Sequence, residues 1–317
     1  MDRSRDDRPA QEDGQSGAAV AQPSEAFEVR TRDGAAISVR IYGYRQGPRL
    51  VVSHGNGLAI DGYASFWQLL AEECEVVVFD MRNHGRSPPH DQAAHCWPNF
   101  PLDLEAVWQS LRARPGRGPT IGIFHSLSAI TSLMQVLDYG PRWDGLLLVD
   151  PPLFPRDGSP LQAAEFDHMN DMVRRSARRT QRFASPAVMA AQLARRPEFR
   201  RWRPEAYRQM ATALLRRDAK HGDWVLRCPR ELEARVFATN TDATIWPRLP
   251  LLRTPLMILG ADPSLPERTL PALICQALTQ ELDIPYRMLP GTTHFLQIER
   301  PVECAAVVRE FCRSLSP

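Results

Sequence analysis

The chain has 317 residues, 43% hydrophobic and 24% charged, with a formal net charge of +2. That composition suits a globular protein with a sizeable core, and the near-neutral charge gives no sign of a nucleic-acid partner. No stretch approaches the roughly 18 consecutive apolar residues needed to span a bilayer.

Residues 1–25 are polar and lack an apolar h-region, so they do not read as a secretory signal. Their composition predicts a disordered leader. The cysteines, Cys74, Cys96, Cys228, Cys275, Cys304 and Cys312, are scattered and form no C-x-x-C pair. Neither a zinc site nor a disulfide framework is expected. Reduced thiols imply a cytoplasmic protein.

Residues 26–32 and 35–42 are short alternating runs joined by Asp33-Gly34, a hairpin signal. Leu50-Val51-Val52-Ser53 is a strand that runs into His54-Gly55-Asn56-Gly57. Residues 63–73 read as helix. Residues 75–79 read as a strand ending at Asp80, with a polar, Pro-rich loop to Pro98. Leu104, Val107, Trp108 and Leu111 give helical spacing over 103–112. A strand at 120–124, a helix at 129–137 and a strand at 145–149 follow, the last ending at Asp150-Pro151-Pro152. Apolar strands without alternation, separated by helices, indicate a parallel sheet covered on both faces.

Residues 161–233 read as helices with no strand. The segment carries Arg174-Arg175, Arg178-Arg179, Arg195-Arg196, Arg200-Arg201 and Arg216-Arg217. Glu198, Glu205, Asp218, Glu231 and Glu233 lie among them, so solvated helix faces with local ion pairs are expected, not a nucleic-acid surface. The core pattern resumes with a strand at 255–259 that ends in Gly260-Ala261-Asp262-Pro263. A helix at 270–282, a strand at 286–289, the loop Gly291-Thr292-Thr293-His294 and a helix within 295–315 complete the chain. The expected organisation is a core over 26–151, a helical cap over 152–249 and core again over 250–317.

Residues 120–129 have the grammar of a nucleophile elbow, a strand-to-helix turn that pushes one serine out of the sheet. Against G-x-S-x-G, the frame reads Phe124-His125-Ser126-Leu127-Ser128. Ser128 keeps the second small position. Phe124 breaks the first, and its ring must be housed by unusually small neighbours. Centring the frame on Ser128 would place branched Ile130 in the turn. Ligands bind beyond the carboxyl ends of strands in an open parallel sheet, and the His54–Gly57 loop, Ser126, Asp262 and His294 all follow strand ends. A serine hydroxyl needs an adjacent base, and a histidine with pKa near neutrality can both take and return the proton.

Taken in order, these residues resemble the α/β-hydrolase family over residues 27–315. Ser53-His54-Gly55-Asn56-Gly57 is similar to its H-G oxyanion loop. Asp80-Met81-Arg82-Asn83-His84-Gly85-Arg86-Ser87 is similar to its D-x-R-G-x-G-x-S loop, with Asn83 where glycine is usual. His125-Ser126-Leu127-Ser128-Ala129 resembles the elbow. Gly291-Thr292-Thr293-His294-Phe295, followed by Glu299-Arg300-Pro301, resembles the segment that carries the catalytic histidine.

The resemblance implies a mostly parallel central sheet flanked by helices, with an inserted helical cap. It implies hydrolysis of a small-molecule carboxylic ester through an acyl-enzyme on Ser126, with His294 as base and Asp262 as acid. The family's G-x-x-D spacing is one residue shorter here, and Asp150 is the alternative acid. Asp80 is expected to hold the loop at 82–87. The backbone N–H groups of Asn56 and Leu127 would form the oxyanion hole, with His54 and His125 in support. Leu153, Phe154, Phe166, Met169, Met172 and Phe183 are candidate pocket residues in the cap. His84, His90, His95, His168 and His221 show no metal-ligand spacing, and there is no Gly-rich phosphate loop, so no metal or other cofactor is expected. Carbon–carbon bond hydrolysis, lactone opening or acyl transfer on the same triad stays open, as does a non-catalytic ligand-binding relative.

Overall fold

The computed structural model describes residues 20–114, 116–267 and 269–315. The expected leader lies outside them up to residue 19. Residues 20–24, assigned to that leader, instead lie against the core: Val20 packs on it, and the Ala21 N–H donates to Gln68.

The strands are β1 (Glu25–Arg30), β2 (Ala36–Gly43), β3 (Arg49–Ser53), β4 (Glu75–Phe79), β5 (Thr120–His125), β6 (Gly145–Val149), β7 (Arg182–Phe183), β8 (Leu215–Arg217), β9 (Trp224–Leu226), β10 (Leu256–Gly260) and β11 (Tyr286–Met288). Eight form one sheet in the order β1-β2-β4-β3-β5-β6-β10-β11. β2 pairs antiparallel with β1 and with β4, and all other pairings in this sheet are parallel. The reason is visible in the side chains. β3, β4 and β6 are buried at every position, whereas edge strand β1 alternates exposed and less exposed residues. Strands buried on both faces belong in the middle of a parallel sheet.

Successive residues of a strand point to opposite faces. Leu50 and Val52 therefore enter one apolar core with Trp67 and helix Pro301–Ser314. Val51 enters the other with helices Asn99–Arg112, Leu127–Tyr139 and Leu270–Leu282. Each fully buried aliphatic side chain contributes about 1.5–3 kcal/mol.

Several elements depart from the sequence expectation. The segment expected as one helix at 63–73 is a chain of short turns, Ile60–Tyr63, Ala64–Trp67 and Gln68–Leu70. The last helix breaks into Leu296–Glu299 and Pro301–Ser314, because Pro301 has no N–H to continue the ladder. The insertion between β6 and β10 carries helices Gln162–Ala177, Pro186–Ala194, Pro204–Leu214 and Arg230–Ala238. It also carries the antiparallel sheet β7-β9-β8, where no strand was expected. Many of its arginines pair within it: Arg175 and Arg196 with Glu198, Arg179 with Glu233, Arg182 with Asp218 and Asp223, Arg203 with Glu205 and Arg230 with Glu231, while Arg200 and Arg201 reach Glu267 outside it. Among the described residues no helix is long and apolar enough to cross a membrane.

Phe124 finds its space inside its own strand. It is fully buried, with its ring edge-on to Phe79 and Trp143 at centroid distances of 6.4 and 5.4 Å. Gly122, two residues earlier on the same face of β5, supplies the small neighbour. A Cβ there would stand 2.4 Å from the Phe124 ring and 2.7 Å from Leu146. Gly122→Ala is therefore expected to cost about 1–3 kcal/mol by overpacking, read as a lower urea midpoint. Adding Phe124→Leu should recover part of the loss. Equal stability of G122A and wild type would contradict this packing.

Candidate active site

Strand order reverses between neighbours β3 and β5, since β3 leads on to β4 at one side and β5 leads to β6 at the other. Such a switch point opens a crevice at the carboxyl ends of the strands. The loop after β3 and the elbow after β5 both face it. Ser126 has φ +53° and ψ −117°, a conformation costly for a residue with a Cβ. The turn is braced by Ser128, whose hydroxyl donates to the His125 carbonyl and accepts from the His125 N–H. Helix Leu127–Tyr139 starts directly behind the serine.

The Ser126 hydroxyl donates to His294 Nε2 at 3.0 Å, and His294 Nδ1–H donates to Asp150 Oδ2 at 2.7 Å. Asp262, expected to orient His294, is not its partner. Asp262 lies at the end of β10, two strands from the elbow, while Asp150 ends β6, the strand beside it. Asp150 adopts φ +44°, and the Ala261 N–H holds its Oδ1, which leaves Oδ2 for the imidazole. Asp262 braces the histidine loop instead. Its carboxylate accepts from Gly291 N–H and from the Ser264 N–H and hydroxyl, and its own N–H donates to Thr292. The Gly291 and Ser264 hydrogen bonds hold its pKa below the ordinary carboxylate value.

Among the described residues the N–H groups of Asn56 and Leu127 have no hydrogen-bond partner. Both residues line the crevice with Ser126. Gly55 lets the two segments approach, since a Cβ there would stand 3.1 Å from the Ser126 Cβ. His54 Nδ1–H donates to the Gly55 carbonyl, and its Nε2 accepts from Met81 N–H. Burial pushes its pKa down to about 4. Asp80 accepts from Ile60 N–H and Arg86 N–H, and its carbonyl takes the Ser87 hydroxyl, which anchors the loop at 82–87. Asn83 has φ +61°, a left-handed conformation open to glycine and tolerated by asparagine.

Sequence reasoning missed how His125 ties these parts together. Its Nε2 meets the His294 carbonyl at 2.8 Å and must donate there, so Nδ1 accepts from the Tyr63 hydroxyl at 2.8 Å. The Tyr63 oxygen in turn accepts from Gly55 N–H. One buried chain thus links the loop at 54–57, the turn at Ser126 and the loop that carries His294. Burial first, then the neighbouring His294, keeps the His125 pKa well below that of a free imidazole. Only the His-Ser pair was visible in the sequence, because Tyr63 is joined to it by folding alone.

One cluster among the described residues has the donor set of a metal site: His84, His95 and Cys228, with ligand atoms within 4.8 Å of one another. The histidine lone pairs are committed elsewhere, and the Cys228 thiol donates to the Pro229 carbonyl. His84 Nδ1–H donates to the Arg82 carbonyl, so Nε2 accepts from Gly57 N–H. Asn83 Oδ1 accepts from His90 N–H, so its amide nitrogen donates to His95 Nδ1, and the His95 proton sits on Nε2. Burial lowers the His84 pKa to about 3 and raises that of the Cys228 thiol. The cluster fits a neutral brace under the loop at 54–57.

Ser126, His294, Asn56 and Leu127 open into a cavity of about 230 Å³ lined largely by the insertion. Met169 and Met172 line it, as expected; Leu153, Phe154, Phe166 and Phe183 are not among its walls. Leu153 and Phe183 are buried in the two apolar cores, and Phe154 packs against Phe166. Trp97, Leu193, Trp202, Met210, Phe237 and Phe295 supply much of the remaining apolar wall. They come from six separate segments, which no sequence period connects.

The sheet, the strained serine and the line of three side chains define a hydrolase-type site on an open parallel sheet. The family model described as "Alpha/beta hydrolase family" matches residues 50–307, and the chain belongs to that family. Among solved structures, an E-2-(acetamidomethylene)succinate hydrolase superposes with TM-score 0.73 at 18% identity, covering 91% of this chain and 100% of the other. A thioesterase domain from the curacin biosynthetic pathway gives 0.70 at 17%, covering 90% and 99%. An esterase from Exiguobacterium antarcticum gives 0.67 at 14%, covering 91% and 100%. At these identities the likeness is one of fold. No curated protein matches the sequence.

Proposed function

We propose that the protein is a serine hydrolase that cleaves neutral, apolar carboxylic esters of small molecules through an acyl-enzyme on Ser126. The observation that carries this is the continuous hydrogen-bonded line Ser126–His294–Asp150 at the mouth of the cavity. His294 Nε2 takes the hydroxyl proton as Ser126 Oγ bonds to the ester carbonyl carbon. Asp150 keeps the imidazole in the right tautomer and stabilises its charged form. The N–H groups of Asn56 and Leu127 receive the developing oxyanion. The C–O bond then breaks, and His294 returns the proton to the departing alcohol. Water repeats the sequence on the acyl-enzyme, with His294 again as base.

The preference for apolar substrates rests on the walls, whose charged residues have partners of opposite sign. Arg179 pairs with Glu233, and Arg175 and Arg196 both pair with Glu198. The walls between them are mostly apolar, which suits an uncharged acyl or alcohol group. The esterase and thioesterase likenesses agree with acyl chemistry on this fold. No disulfide forms among the described residues and four of the six cysteines are buried, which suits the reducing cytoplasm.

A fluorophosphonate probe is expected to label the wild type and not Ser126→Ala. Turnover of p-nitrophenyl esters should rise as the acyl chain lengthens from acetate, and should exceed that of lactones of similar size. A folded wild type that is neither labelled nor able to cleave any ester would sink the reading.

A further inference from the structure

The oxyanion loop is held from two sides, and the second side belongs to the insertion. From below, His84 Nε2 accepts the Gly57 N–H and Tyr63 accepts the Gly55 N–H. From above, the Asn56 side-chain amide donates to the Glu233 carbonyl at 2.9 Å, and Arg179 Nη1 donates to the Gly57 carbonyl at 3.3 Å. Arg179 and Glu233 are themselves joined at 2.6 Å, and Ser176 donates to the other Glu233 oxygen at 3.1 Å. The fit is close. Gly57 has φ +68°, and a Cβ on it would stand 2.5 Å from the Glu233 carboxyl carbon. Arg179 follows helix Gln162–Ala177 and Glu233 sits in helix Arg230–Ala238, so two insertion elements converge on one loop.

We propose that the Arg179–Glu233 ion pair is a positioning pair, which fixes the Asn56 amide in the direction the oxyanion requires and makes the docked cap part of the rate-determining geometry. The proposal rests on the serine-hydrolase reading for its kinetic consequence and on geometry alone for its structural one. Neither residue touches the reacting atoms. Their side chains act on the Gly57 carbonyl and against the Gly57 Cα, and by fixing Glu233 they steady the backbone carbonyl that takes the Asn56 side chain. An ion pair with little solvent access holds geometry better than an exposed one, because removing either partner leaves a desolvated charge behind. The donor it aims acts only as negative charge develops, so the loss should fall on kcat and not on KM.

The test uses Arg179→Met and Glu233→Ala in the full chain, with Arg182→Ala as a control that breaks an exposed cap ion pair facing Asp218 and Asp223. Active sites are titrated with a fluorophosphonate, so kcat on a p-nitrophenyl ester is expressed per competent site. Hydrogen exchange of the peptide covering 54–60 is followed by mass spectrometry on the same samples. R179M and E233A are expected to lower kcat by 10- to 100-fold with KM within threefold, and to speed exchange of that peptide at least tenfold. R182A should change neither, and R179K, which keeps a donor for both oxygens, should recover most of the lost rate. If R179M or E233A proves too unstable to purify, Ser176→Ala, which removes the hydroxyl that holds the other Glu233 oxygen, gives a milder version of the same two readouts. Exchange that stays within twofold of wild type overturns the proposal, and so does faster exchange with an unchanged kcat per site. A wild type with no esterase activity and no labelling would refute the hydrolase reading, and with it the kinetic half of the proposal. Exchange would still decide whether the pair holds the loop.

Discussion

Asp150→Asn is expected to lower kcat about 10⁴-fold on any ester the protein cleaves, the size found when a serine triad's carboxylate becomes an amide. Asp262→Asn should cost less than tenfold. The asymmetry follows from hydrogen-bond direction. The Ala261 N–H donates to Asp150 Oδ1. An asparagine at 150 would keep its oxygen there and turn its NH₂ toward His294. The imidazole would then have to accept at Nδ1, which moves its proton to Nε2, where Ser126 also needs an acceptor. The base is lost although nothing is displaced. Asp262 instead receives Gly291 on one oxygen and Ser264 on the other. An amide there keeps one acceptor and loosens the loop that carries His294 without changing its tautomer. Steady-state kinetics per titrated site separate the two. If D262N abolishes turnover while D150N retains it, the acid belongs at Asp262 and the distances at Asp150 do not describe the working state.

That contrast shows where the sequence stops being legible. The parallel core could be read because a strand buried on both faces must be apolar throughout, as β3, β4 and β6 are. Ser126 and His294 could be singled out because each follows a strand end with its own local signature. The carboxylate that meets His294 could not be read that way. Both Asp150 and Asp262 end apolar strands, and the choice depends on a φ of +44° at one and a two-residue turn to Ser264 at the other. The housing of Phe124 was legible in principle, since Gly122 sits one strand period earlier on the same face. The strands β7, β8 and β9 were not, because two or three residues are too few to display alternation. The hold of Glu233 on Asn56 spans 177 residues of sequence, and no local pattern encodes it.

Glu165→Gln is expected to flatten the pH dependence of stability and to raise stability most on the alkaline side. Glu165 lies in helix Gln162–Ala177, is fully buried, and among the described residues neither carboxyl oxygen has a hydrogen-bond partner. Burial pushes its pKa from 4.5 up to about 8. The folded chain therefore keeps a proton that the unfolded chain releases above pH 4.5. Unfolding free energy should fall by about 1.4 kcal/mol per pH unit between these values. The total is on the order of 4–5 kcal/mol, complete once the pH passes about 8. The stabilisation is whole below the unfolded pKa and disappears as pH rises through the folded one. Glutamine has the same shape and no proton to lose, so its curve should lack this slope. Urea unfolding at pH 5, 7 and 9 checks it: the two proteins should be close at pH 5 and several kcal/mol apart at pH 9, with E165Q the more stable. Parallel curves would mean that the carboxyl finds a partner or water in the folded state. The effect bears on the site because Met169, one turn along the same helix face, lines the cavity. Ionising Glu165 puts an unpaired charge directly behind a wall of the substrate pocket.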